Sequence, residues 1–113
     1  MRQLTEITDD PKQTFDVITE DNQNFELGLE YSDQQQGWFF SIIFGNLSIN
    51  GMRLTTSPNI LRQYKNILPF GISIAVDDLS EPFLIDDFIT ERVKAFLLTP
   101  EEVEGIEEDI YNQ

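Results

Sequence analysis

The 113-residue chain has no cysteine and no histidine. Without thiols, neither disulfides nor thiolate metal sites hold it together. Without imidazole it lacks the commonest general base, the commonest zinc ligand and every Ser-His or Cys-His nucleophile pair. No apolar run approaches the ~20 residues that a spanning helix needs. The opening stretch MRQLTEITDDPKQTF has no apolar segment of the secretory type. The expectation is an intracellular, soluble protein of one domain, large enough for a single hydrophobic core, without cofactor or membrane partner.

Acidic residues are absent from one long stretch. Residues 34–76 contain none, and their only charges are Arg53, Arg62 and Lys65. Residues 1–33 carry nine acids against Arg2 and Lys12, and residues 77–113 carry twelve against Arg92 and Lys94. The net charge is −14, which repels phosphate and argues against nucleic acid as a partner. Acidity of this kind first of all gives solubility. Its segregation also suits a repeated assembly in which the acid-free middle of one copy meets an acidic end of another.

That acid-free middle holds the organising stretch, GWFFSIIFGNLSINGMRLTT (Gly37 to Thr56), with the one tryptophan of the chain. Trp38, Phe40, Ile42 and Phe44 alternate with Phe39, Ser41 and Ile43, the period of a strand. Gly45-Asn46 makes a tight turn into a return strand through Leu47 and Ile49, whose apolar phase then slips to Met52 and Leu54. A glycine-containing bulge at Asn50-Gly51 explains the slip. A turn at Asn50-Gly51 is the rival reading, but Gly45-Asn46 leaves longer arms. If Phe39 and Ile43 lie opposite Trp38, both faces of this strand are apolar, which a small lone sheet rarely covers.

Before this hairpin, Asp9-Asp10-Pro11 forms an arm or turn, and Phe15 and Val17 mark a strand over Gln13 to Glu20. Glu20 to Gln23 is a turn. Asn24 to Ser32 alternates cleanly, with Phe25, Leu27, Leu29 and Tyr31 on the buried face. Four strands thus follow one another as a meander. After it, Ser57 as N-cap and Pro58 at the first position open a short helix or helical turn. Ile60, Leu61, Tyr64 and Leu68 lie along its inner face, and Pro69-Phe70-Gly71 ends it. Ile72, Ile74 and Val76 mark a fifth strand, and Pro82 keeps Asp77 to Asp87 out of a central strand. Asp86 to Ile89 suggests one helical turn, and Arg92 to Leu98 is a sixth strand. Thr99, Pro100 and Glu102 form a capping-box pattern opening a marginal helix with a thin stripe of Val103, Ile106 and Ile110, weakened by Gly105.

Carboxylates are the only plentiful reactive groups. Asp77-Asp78, Glu81 and Asp86-Asp87 share one loop, yet no calcium-loop spacing is present, and a solvated loop whose acids cap nearby backbone is the stronger reading. Nothing selects a glycosidase-like pair. The glycines fit no phosphate-binding fingerprint. Trp38 and its neighbouring phenylalanines read as core plus interface, because bases for a nucleic-acid platform are sparse.

Gln13-x-Phe15, the alternating strand ending in Tyr31, Trp38-Phe39 and Gly51-Met52-Arg53-Leu54 form a recognisable series. It continues through Asn59-Ile60-Leu61, Gly71, Pro82 and Asp86-Asp87-Phe88 to Arg92-Val93. In layout the chain resembles the small baseplate plug proteins of contractile-tailed bacteriophages, including those of cyanophages, over about residues 10–98. It departs from the pattern at Ile89-Thr90-Glu91, where a glycine is usual, and the tail after Thr99 lies outside it. The resemblance implies a compact, non-catalytic β-domain near the axis of a virion tail baseplate. It would be made in the host cytoplasm and packed in repeated copies among hub, tube and wedge proteins.

The fold expected is mainly β: a six-stranded antiparallel barrel or sandwich over residues 1–99, with one short helix and an acidic tail over 100–113. Trp38, Phe40, Phe25, Leu27 and Leu29 are assigned to the core. Phe39, Ile43, Met52 and Arg53, with Val103, Ile106 and Ile110 of the tail, are the interface positions, and no catalytic, cofactor or metal residue is assigned. Two rival functions are an acidic inhibitor or nucleic-acid mimic of a basic host protein, and a carbohydrate-binding or hydrolytic module of the tail.

Overall fold

A computed structural model of the chain describes every residue but Glu20, Lys65, Leu79, Asn112 and Gln113, and all their side chains except those of Asp109, Ile110 and Tyr111. Seven strands form two antiparallel sheets. The larger is the expected meander, β2 (Lys12–Ile18), β3 (Asn24–Ser32), β4 (Gly37–Phe44) and β5 (Leu47–Arg53), in that order across the sheet. The smaller has β7 (Val93–Leu98) between β1 (Arg2–Gln3) and β6 (Gly71–Val76). Both sheets are open, so of the two forms expected it is a sandwich and not a closed barrel.

The central hairpin turns at Gly45-Asn46, where Phe44 pairs with Leu47. Gly45 has φ +58° while Asn46 has negative φ, the arrangement of a type II′ turn. Between Phe40↔Met52 and Ile42↔Ile49 one residue of β4 faces two of β5, Asn50 and Gly51. Gly51 sits at φ +67°, so the slip in apolar phase is a bulge that glycine accommodates at little steric cost. Because of it, Met52 and Leu54 return to the face of Phe40 and Trp38, and Leu54 N–H donates to the Trp38 carbonyl at 2.8 Å.

The sheets share one core. Phe25, Leu27, Leu29, Trp38, Phe40 and Ile42 from the larger meet Ile72, Ile74, Val76, Val93, Ala95 and Leu97 from the smaller. Phe25 and Phe70 stack face to face at 4.1 Å between ring centres. A void of only about 10 Å3, lined from both sheets, remains between them, close to the native packing of protein interiors.

One part differs from the expectation, and two go beyond it. The N-terminus adds a seventh strand to the six expected: β1 pairs with β7 and buries Leu4 and Ile7. Its two-residue strand is too short to leave an alternating signal. Ser57 does not cap a helix but bridges to Ile74, and Ile60 N–H donates to the Ile72 carbonyl at 2.8 Å, so the segment runs beside β6. Buried Asn59 accepts from Leu61 N–H and Ile72 N–H through one side-chain oxygen, delaying helical structure to a 3-10 turn at Arg62–Tyr64. In β7, Val93, Ala95 and Leu97 face the core, as does Leu98, while Phe96 is half-buried.

Helix α1 (Pro100–Tyr111) opens on the anticipated capping box. Glu102 N–H donates to Thr99 Oγ1 at 3.2 Å, and Thr99 N–H donates to Glu102 Oε1 at 3.1 Å. Val103 is buried, Arg62 pairs with Glu107 at 2.8 Å, and the Met1 ammonium meets Glu102 at 2.6 Å. Glu20 and Lys65, and the side chain of Ile110, lie outside the described residues.

Candidate functional site

The outer face of the larger sheet carries some of the interface positions and not others. Phe39 lies between Glu30 of β3 and Arg53 of β5, and Ile43 between Glu26 and Ser48. The Arg53 guanidinium covers the Phe39 ring at 5.6 Å and donates to the Gln35 and Gln36 carbonyls at 3.3 and 3.4 Å. Phe39 is therefore half-buried within its own chain, whereas Ile43 stays 45% exposed. The row between them, Thr14, Gly28 and Ser41, has small side chains, which leaves a shallow depression of about 110 Å3.

Met52 and Val103 are placed elsewhere. The bulge turns Met52 inward beside Phe40, where it packs half-buried against the core. Val103 is spent on holding α1 to the body. Ile106 is half-buried. Phe39, Ile43 and Arg53 share one face, Ile106 lies on α1, and the structure does not unite the six described positions in one patch.

A second surface was not anticipated from sequence. Phe83, Leu84, Ile85 and Ile89 in the β6–β7 connection are 42%, 43%, 39% and 53% exposed. The loop under them is tightly bonded. Asp87, fully buried, accepts from Phe83 N–H and Leu84 N–H at 2.8 Å each, and from Arg92 Nε and Nη2 at 2.8 and 2.9 Å. Arg92 also donates to Asp78, to the Ser80 hydroxyl and to the Glu81 carbonyl, and its guanidinium lies 4.6 Å from the Phe83 ring centre. From the sheet, Trp38 Nε1–H donates to the Leu84 carbonyl at 3.0 Å and the Tyr31 hydroxyl to the Phe83 carbonyl at 2.7 Å. Phe88 fills the space beneath, edge-on to Trp38 at 5.3 Å. The missed signal was the run Phe83-Leu84-Ile85, apolar residues with neither strand nor helix to bury them.

The acidic loop does what its composition suggested, capping backbone and side chains. Asp78 binds Ser80, Glu81 accepts from Thr56 N–H, and Asp87 has its donors. The Ser80 hydroxyl, before Arg92, holds the Asp78 carboxyl below the usual carboxylate range. Bonding to Asp87 raises the Arg92 pKa. Burial, reinforced by Asp33 and Asp87, raises that of Tyr31. Asp87 is held by four donors, three on Oδ2 and one on Oδ1, and is buried away from solvent. Among the described residues no three acids converge as a group able to hold a metal ion. The chemistry available to these two surfaces is contact: apolar side chains on a rigid backbone, framed by carboxylates.

No curated protein matches the chain. A family model described as cyanophage baseplate Pam3 plug gp18 matches residues 1–100, ending where α1 begins.

Proposed function

Because the chain belongs to the cyanophage baseplate plug family, we propose that it is a non-enzymatic structural component of a contractile phage tail baseplate. It packs near the central axis against hub, tube or wedge proteins, in repeated copies, within the virion. The family match over residues 1–100 carries this reading. Two features support it: an exposed Ile43 on the outer sheet face and a rigid loop that holds apolar side chains in water. Residues 1–99 act as the β domain, and the acidic helix from Pro100 is an appendage with Ile106 and Ile110 as contact positions. Phe39, Ile43 and Arg53 form the contact face of the sheet.

Light scattering of the purified protein, alone and with each hub, tube and wedge protein of the same phage, tests the proposal. A ring or a stoichiometric complex is expected, and Ile43→Asp should weaken it while leaving the fold intact. The net charge of −14 favours one rival, an acidic inhibitor of a basic host protein. A salt-sensitive one-to-one complex with such a protein, and none with tail proteins, would establish that rival instead.

A further inference from the structure

We infer that the loop of residues 81–91 is a preformed docking tip that inserts Phe83, Leu84, Ile85 and Ile89 into an apolar cleft rimmed by lysine or arginine on a different baseplate protein. The inference rests on the baseplate reading and names the partner's chemistry.

These side chains are exposed on a backbone that is held in place. Apolar side chains held in water gain free energy when buried, and a loop already fixed loses little conformational freedom on binding. Five hydrogen bonds fix the backbone of Phe83 and Leu84 alone: two to the Asp87 carboxylate, one from Asp87 N–H, one from Trp38 and one from Tyr31. Among the described residues nothing covers the side chains beyond that frame fully, and even Phe83, with the Arg92 guanidinium against its ring, stays 42% exposed.

The connection is also strongly acidic: Asp77, Asp78, Glu81, Asp86 and Glu91 lie before, between and after the apolar residues in sequence, and all are exposed. Arg92 is occupied inside the loop, and Lys94 lies 4.0 Å from Asp77. An acidic rim around an apolar centre matches a basic rim around an apolar cleft. A second copy is a poor occupant: each carries −14, and among its cations Arg53 is folded over Phe39 and Arg62 is paired with Glu107.

The test uses the full chain against immobilised hub, tube and wedge proteins of the same phage, at low and high salt. Three variants accompany the wild type: Leu84→Asp with Ile89→Asp, the rim reversal Asp86→Lys with Glu91→Lys, and Ile67→Asp, at an exposed residue outside both surfaces, as the control that should bind like wild type. Trp38 fluorescence checks that each is folded. The wild type should bind one protein, more weakly in high salt. Both loop variants should lose about tenfold or more in affinity. The rim reversal leaves the buried bonds untouched, so it decides the matter if the apolar double variant does not fold. Equal binding by wild type and folded loop variants overturns the docking tip while the baseplate reading stands. Binding to none of the tail proteins overturns both. Self-association that disappears in the loop variants, with no other partner, overturns the inference in favour of a second copy.

Discussion

Asp87 and Arg92 meet side-on: Oδ1 accepts from Nε at 2.8 Å and Oδ2 from Nη2 at 2.9 Å, closing a loop of six residues around a fully buried carboxylate. The same carboxylate takes the Phe83 and Leu84 N–H groups. A charge withdrawn from water in this way is tolerated because it is paired with the Arg92 guanidinium and both oxygens accept hydrogen bonds.

Removing the Asp87 carboxylate takes away the buried partner of Arg92 Nε and leaves the Phe83 and Leu84 N–H groups without their acceptor. Asp87→Ala should destabilise the fold by about 3–5 kcal/mol. A urea titration followed by Trp38 fluorescence checks this, since the indole is bonded to the loop at the Leu84 carbonyl.

Thr99→Ala removes the acceptor for Glu102 N–H. The cost should be about 1 kcal/mol, seen as lost helical signal in circular dichroism. The Met1 ammonium, then Thr99 N–H, hold the Glu102 carboxyl below its ordinary 4.5. This contribution is present above that ordinary value and lost as pH falls through the lower folded-state value. Acid melts of wild type should show it, and Glu102→Gln should remove it.

Tyr31 titrates in the opposite sense. Burial, with Asp33 and Asp87 adding to it, raises its pKa above 10.0, so its stabilisation holds below pH 10.0 and is lost as pH rises through the folded value. A phenolate has no proton to donate to the Phe83 carbonyl. Wild type should therefore lose more stability on alkaline titration than Tyr31→Phe, which at neutral pH is less stable by about 1 kcal/mol.

Two glycine substitutions should differ in sign. Gly51→Ala places a side chain at φ +67° and should cost about 1–2 kcal/mol. Gly105 is exposed in α1 with nothing within 4 Å of an added Cβ, so Gly105→Ala should gain about 1 kcal/mol. Thermal denaturation of the two variants beside wild type decides.

Local rules carried most of the sheet into view from sequence. The alternation Phe25, Leu27, Leu29 marked β3 to its ends, and the slip from Ile49 to Met52 marked the bulge. What the slip meant for Met52 was harder to see: the extra residue turns the chain back toward Phe40, so its side chain enters the core. Leu4 and Ile7 gave no period, because β1 is defined by pairing with β7, distant in sequence. Ser57-Pro58 has sound helix-start chemistry, yet Asn59 and the ladder to Ile74 and Ile72 claim the backbone first. The docking loop escaped for a similar reason. Its order comes from Tyr31, Trp38, Asp87 and Arg92, which only the folded chain assembles.

The bulge at Asn50-Gly51 bears on how copies of this domain can stand together. β5 is an outer strand of its sheet, and an outer strand offers unpaired backbone groups to any neighbour. Two residues set against one spoil the even spacing that a further strand would need. The ladder cannot continue evenly past this irregularity, so a neighbour that meets the β5 edge is met by side chains rather than by a further strand.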